Sequence, residues 1–113
     1  MTMTPLLEYA TAGERRVTRK LVNAILGAGY MASVNDGEEW TVKNSTSTTE
    51  IIAALGSTEE DVIRVSRLDK TVVGVFVLIW GNDETGDELM ADHTDNDAMQ
   101  ALYDAAQPKE QEA

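Results

Sequence analysis

The run from Thr71 to Trp80, with the sequence TVVGVFVLIW, is the feature that most limits how this chain can fold. It is apolar at both odd and even positions, as in a strand that is covered on both faces. Its many β-branched residues and Gly74 disfavour a helix. Its continuous apolar part is also far shorter than the ~20 residues that a membrane-spanning helix needs. We therefore predict a central, buried strand in a sheet.

Two capping-box patterns predict helix starts. In Thr11-Ala12-Gly13-Glu14 the threonine hydroxyl can accept from the Glu14 amide while the Glu14 side chain reaches back. A stripe of apolar residues at helical spacing follows, and it predicts a helix near 12–28. Ser47-Thr48-Thr49-Glu50 has the same form and predicts a short helix near 48–55. A third helix is expected near 96–106, capped by Asp95 or Thr94.

The remaining segments alternate as strands do. Residues 30–35 and 39–43 flank Asp36-Gly37, a strong tight-turn signal that predicts a hairpin. Residues 61–68 predict a further strand, and residues 88–94 predict a fifth one. The expected order is α-β-β-α-β-β-β-α. Hairpin-sized connections then imply the α+β class, with a mainly antiparallel sheet of four to five strands and two to three packed helices.

Length and composition predict a single domain. The chain has 113 residues, so we expect one α+β domain over 11–106, a loose segment at 1–10 and a flexible polar tail at 107–113. It has no cysteine, which excludes disulfides, thiolate metal sites and cysteine nucleophiles. No secretory signal is visible at the start of the sequence, and we expect a cytoplasmic protein.

Charge is distributed very unevenly along the chain. The net charge is −11, which argues against direct binding to nucleic acid or to anionic membranes. Residues 81–113 hold ten acidic residues and one basic residue, Lys109. An anionic face that docks on a cationic protein surface is the sharper interpretation, and plain solubility is the simpler one. The predicted partner-binding residues are Asp83, Glu84, Asp87, Glu88, Asp92, Asp95 and Asp97, with Trp80 as an apolar anchor.

Catalytic and metal-binding patterns are missing from the sequence. The acidic segment does not place glycine and glutamate where an EF-hand loop needs them. His93 is the only histidine, and no serine lies in a Gly-x-Ser-x-Gly elbow. Gly27 and Gly29 follow a helix instead of opening one, so they do not form a phosphate-binding loop. We therefore expect no enzyme activity, no cofactor and no high-affinity metal site.

In size, acidity and absence of catalytic motifs, the chain resembles the small acidic accessory proteins of phages and plasmids, including anti-restriction and anti-CRISPR proteins. The segment from Ser33 to Lys43, SVNDGEEWTVK, is also similar to proteobacterial and phage proteins without an assigned activity. The resemblance implies a non-enzymatic inhibitor that occupies a nucleic-acid site on a host defence protein. Two alternatives remain open. One is a homodimeric structural or assembly protein that uses Trp80 or an exposed sheet edge, and the other is a weak divalent-cation binder.

Overall fold

The computed structural model describes residues 10–56, 59–81, 86 and 89–107. Within these ranges, helices and strands follow the predicted order and differ from the predicted bounds by at most two residues at each end. The helices are α1 (Ala12–Gly27), α2 (Thr48–Ala53) and α3 (Asp97–Ala106). The strands are β1 (Met31–Asn35), β2 (Trp40–Ser45), β3 (Glu60–Ser66), β4 (Val72–Ile79) and β5 (Met90–His93). The predicted α+β class is confirmed.

The segments expected to be loose, 1–10 and 107–113, lie outside the described residues except at their inner ends. Ala10 is only 7% exposed and belongs to the hydrophobic core, so the loose segment does not extend to this residue. Gln107, at the other end, is half-buried and donates its backbone N–H to the carbonyl of Tyr103. Both residues are therefore held by the domain.

The strands form one antiparallel sheet in the order β2-β1-β3-β4-β5. β4 lies between β3 and β5, with Phe76 opposite Ile63 on one side and opposite His93 on the other. The prediction that Thr71–Trp80 supplies an interior strand is confirmed. The two edges of the sheet are β2 and β5.

The core lies on one face of this sheet. Phe76 and Leu78 of β4 are fully buried there, in one cluster with residues from every described helix. α1 contributes Val17, Leu21, Val22 and Ile25, α2 contributes Ile51, and α3 contributes Met99, Leu102 and Ala106. The described part of the chain is therefore a two-layer structure, with helices on one side of the sheet.

The opposite face, which we call the open face, carries no described helix. Directly opposed strand residues share a face, so the register assigns its members. They include Met31, Ser33, Asn35, Trp40, Glu60, Val62, Arg64, Val75, Val77, Ile79 and Asp92. Val75, Val77 and Ile79 are only half-buried, whereas Gly74, Phe76 and Leu78 between them are buried. Within the described ranges, the expectation that both faces of β4 are covered is therefore not met, and an antiparallel sheet needs only one packed face.

The two predicted capping boxes differ in outcome. At α1 both bonds form: the Glu14 amide donates to Oγ1 of Thr11 at 3.1 Å, and the Thr11 amide donates to Oε1 of Glu14 at 2.9 Å. At α2 the Glu50 amide donates to Oγ of Ser47 at 3.2 Å. The Glu50 carboxylate, however, accepts from the Ser45 hydroxyl instead of reaching back to the cap. The end of β2 thus holds the start of α2.

The cap of α3 also differs from the prediction. Asn96, not Asp95 or Thr94, is the N-cap, and its Oδ1 accepts from the Met99 amide at 2.8 Å. Thr94 is used by the sheet instead, since its Oγ1 accepts from the Val75 amide at 3.0 Å. The start of α3 is therefore fixed against β4.

Candidate functional site

Three of the seven predicted partner-binding carboxylates lie in the described part of the chain, and all three are exposed. Asp92 is on the edge strand β5, Asp95 follows that strand, and Asp97 is the first residue of α3. The other four predicted residues are outside the described residues: Asp83, Glu84, Asp87 and Glu88.

Asp104 is a fourth exposed carboxylate, and it lies on the same helix as Asp97. Asp97 and Asp104 are seven residues apart on α3 and so share a helix face with Gln100. Gln100 donates to Oδ1 of Asp104 at 3.0 Å, and its own Oε1 lies 3.3 Å from Nε2 of His93 on β5. This connects the helix face to the sheet edge. We call the set of Asp92, Asp95, Asp97 and Asp104 the acidic edge.

The negative charge of the acidic edge is not neutralised by basic side chains among the described residues. Among the described residues, none of these four carboxylates makes an ion pair with a lysine or an arginine. The cations of α1 that the sequence places in its first turns, Arg15, Arg16, Arg19 and Lys20, are on a different element. A surface of this kind attracts cationic partners and repels anionic ones.

His93 is used structurally. Its ring stacks on Tyr103 with the centroids 4.6 Å apart, and its centroid lies 5.8 Å from that of Phe76. Together with the contact to Gln100, these rings hold the imidazole between β4 and α3. The described part of the chain contains no group of three or more histidine, aspartate or glutamate residues arranged to hold a metal ion.

Trp80 does not lie where a partner could contact it. Its side chain is 4% exposed and belongs to the core. Its indole Nε1 donates to Oδ2 of Asp61, which is fully buried. The expectation that Trp80 is an interface anchor is corrected accordingly, because an anchor must be accessible before the partner binds.

Sequence reasoning did not single out Arg64, which lies on the open face beside Trp40. The guanidinium carbon of Arg64 lies 4.5 Å from the ring centroid of Trp40, which is a cation–π arrangement. Nη2 of Arg64 donates to Oγ of Ser33 at 3.2 Å. The available signal was the alternation in β3, where the polar Arg64 and Ser66 occupy the positions between apolar residues.

The pair defines a cationic spot on an acidic protein. Nε of Arg64 is buried and has no hydrogen-bond partner, and Arg64 makes no ion pair with any described residue. A guanidinium held flat on an aromatic ring has its direction fixed before a ligand arrives. The candidate binding features are therefore the acidic edge and the open face with its Trp40–Arg64 pair.

The fold is that of a small α+β protein with exposed acidic side chains on β5 and α3 and an arginine–tryptophan pair on the open face. Comparisons with protein-family models, with curated proteins and with solved structures found no match to this chain. No helix in the described ranges is long and apolar enough to cross a membrane.

Proposed function

We propose that this protein is a non-enzymatic, cytoplasmic interaction domain whose acidic edge docks on a basic protein surface that otherwise binds nucleic acid. The observation that supports the proposal is the exposure of Asp92, Asp95, Asp97 and Asp104 on β5, on the segment after it and on α3, without an ion pair among the described residues. Such a surface resembles a phosphate backbone because it presents several negative charges on a rigid support. A cationic groove could therefore bind either of them. A defence protein of the host is the kind of target that the resemblance implies.

The carboxylates must act together. An exposed charge pair contributes only ~0.2–1 kcal/mol, so no single residue of the acidic edge can supply the affinity. The net charge of −11 adds long-range attraction towards a cationic partner, and this attraction raises the association rate most at low salt. The proposal therefore requires a collective and salt-sensitive effect.

The test compares two triple variants of equal charge. The first neutralises the acidic edge with Asp92→Asn, Asp95→Asn and Asp104→Asn, and keeps Asp97 because a carboxylate in the first turn stabilises α3. The second, a control, carries Glu38→Gln, Glu39→Gln and Glu59→Gln at exposed positions away from that edge. Each variant and the parent are immobilised and used to capture proteins from a bacterial lysate, with and without added duplex DNA or RNA.

We expect the parent and the control variant to retain nucleic-acid-binding proteins at low salt, and the acidic-edge variant to lose them. Added nucleic acid should displace the captured protein, since both occupy the same site. Equal retention by both triple variants would contradict the proposal. So would a complex in which nucleic acid and this protein bind the captured partner at the same time.

A further inference from the structure

The open face has an apolar centre, and no described helix or strand packs over it. Val62 of β3 lies opposite Val77 of β4, and Val75 and Ile79 flank Val77 along the same strand. All four side chains are half-buried, and none of them belongs to the core cluster on the other face. Adjacent apolar side chains on a sheet face, next to an aromatic residue and an arginine, are typical of a protein contact surface.

Arg64, next to this apolar centre, is the strongest indication of what covers it. Its side chain is half-buried, its Nε has no hydrogen-bond partner, and it has no carboxylate partner among the described residues. The chain has 20 acidic residues for 9 basic ones, so an internal carboxylate partner would be easy to supply. The positive charge of a partly buried guanidinium group is costly to leave unpaired, and a carboxylate from outside would pair with it.

A carboxylate that fits this requirement lies on the same face. Asp92 of β5 is opposite Val77, is exposed and makes no ion pair among the described residues. Within one molecule it lies two strands away from Arg64, or roughly 10 Å sideways, because neighbouring strands are about 4.8 Å apart. It is also offset from Arg64 by two residues along the strands, since Arg64 pairs with Val75 and Asp92 with Val77. Arg64 and Asp92 are therefore complementary charges on one face that do not pair with each other in a single chain.

We propose that a second copy of this chain covers the open face, with the two sheets packed face to face. A two-fold axis over β4, roughly parallel to its strands, brings Val75, Val77 and Ile79 of the two copies together. The same axis turns β3 of each copy towards β5 of the other. Arg64, which is level with Val75, then lies across the interface from the second copy's Asp92, which is level with Val77, and this approach occurs twice. An axis over β3 would instead place the two Arg64 side chains against each other. Aligned sheets pack about 10 Å apart, a gap that an arginine side chain can largely cross.

This dimer leaves the helical layer of each copy outside. Asp95, Asp97 and Asp104 of the acidic edge stay available, so the dimer and the proposed docking on a basic surface do not exclude each other. The copies repel through their net charge of −11 each, and salt weakens this repulsion. The dimer should therefore persist as salt rises, whereas docking of the acidic edge should weaken.

Sedimentation equilibrium of the purified chain over a range of concentrations tests the proposal. The parent should show a monomer–dimer equilibrium, and Val77→Asp should weaken it at least about tenfold, because a buried unpaired charge is costly at an interface. Leu68→Asp is the matched control. Leu68 is 66% exposed in the turn between β3 and β4, away from the apolar centre of the open face, so this substitution should leave the equilibrium unchanged. Circular dichroism and thermal unfolding verify that each variant is folded.

Two charge reversals test the pairing itself. Arg64→Asp alone and Asp92→Arg alone should each be monomeric, because each would face like charges across the interface. When the two variants are mixed, each Arg64→Asp chain meets an arginine at position 92, and the mixture should form heterodimers with about the parent affinity. A merely structural role for Arg64 would not produce this rescue. A parent that stays monomeric at high concentration, equal effects of Val77→Asp and Leu68→Asp, or a mixture that stays monomeric would overturn the proposal.

Discussion

The indole Nε1 of Trp80 donates a hydrogen bond to Oδ2 of Asp61 at 2.7 Å inside the core. The Gly56 amide donates to the same oxygen at 2.9 Å, while Oδ1 is buried without a hydrogen-bond partner. Burial disfavours the charged form and raises the pKa of Asp61, although the bonds from Gly56 and Trp80 oppose this. The Asp61 carboxylate, near the start of β3, is thus hydrogen-bonded both to the residue after β4 and to the turn after α2.

The raised pKa of Asp61 makes stability depend on pH. Since its folded pKa lies above the usual pKa of an aspartate, its contribution to stability is largest at pH values below that usual pKa. This contribution of Asp61 to stability is lost as pH rises through the folded pKa, and it is absent at all higher pH values. Asp61→Asn keeps an acceptor for both donors and does not ionise. We therefore expect the unfolding free energy of this variant, relative to that of the parent, to increase as pH rises from about 3 to about 7.

Urea unfolding at several pH values measures this difference between the two proteins. Taking the difference removes the titration of the other carboxylates, which both proteins share. A difference that does not change with pH, or that changes in favour of the parent as pH rises, would contradict the raised pKa.

Phe76 and Val77 are neighbours on β4 but face different sides of the sheet. Phe76 is fully buried, so Phe76→Ala should cost ~3–5 kcal/mol of unfolding free energy. Val77 is half-buried on the open face, so Val77→Ala should cost less, about 1 kcal/mol in the monomer. Chemical denaturation of both variants gives the comparison. Equal costs for the two substitutions would mean that the open face is packed as tightly as the core.

Gly86 shows how tightly the approach to β5 packs against α1. Its φ is +87°, and an added Cβ would lie 2.7 Å from the Gly13 carbonyl oxygen and 2.7 Å from Cγ2 of Val17. Gly86→Ala should therefore destabilise the protein by ~1–3 kcal/mol, through both the backbone conformation and the clash. Gly27→Ala is the control, since a Cβ there meets nothing within 4 Å and alanine favours a helix. Thermal unfolding should show opposite shifts for the two variants, and a Gly86→Ala protein as stable as the parent would refute the close approach.

Metal binding around His93 is the remaining alternative to test. Its ring is stacked on Tyr103, and its Nε2 lies next to the Gln100 amide oxygen, so coordination would require rearrangement. We expect calorimetric titration with calcium, magnesium, manganese and zinc to show weak binding or none. A stoichiometric site of micromolar affinity that is removed by Asp92→Asn or Asp95→Asn would establish an ion-binding function instead.

Most of the fold can be predicted from short local sequence patterns. The Thr11–Glu14 capping box and the Asp36-Gly37 turn are set by bonds between near neighbours, and both form as predicted. Thr94 was misassigned because its hydroxyl bonds to Val75, nineteen residues away, and no local pattern shows this.

The candidate site was less accessible to sequence reasoning. Trp40 meets Arg64 only because irregular pairing between β1 and β2 places Trp40 opposite Asn35, on the face that Arg64 shares. Trp80, which looked equally available in sequence, follows the buried positions of β4 and lies in the core. The two tryptophans differ in role because of register, and register is a property of strand pairing that one strand does not contain.

Glu14, in the N-terminal cap of α1, makes one local and one long-range hydrogen bond, and the two should form at different stages of folding. Its Oε1 accepts from the Thr11 amide and also from the Gly81 amide, at 2.9 Å in each case, although Gly81 is 67 residues away. The local bond can form as soon as α1 forms, but the second one requires the whole sheet up to the end of β4. Loop closure over that length is slow compared with helix formation. The Gly81 amide should thus gain protection from hydrogen exchange late in refolding, after the amides within α1, and the completed cap would mark the point at which helix and sheet have docked.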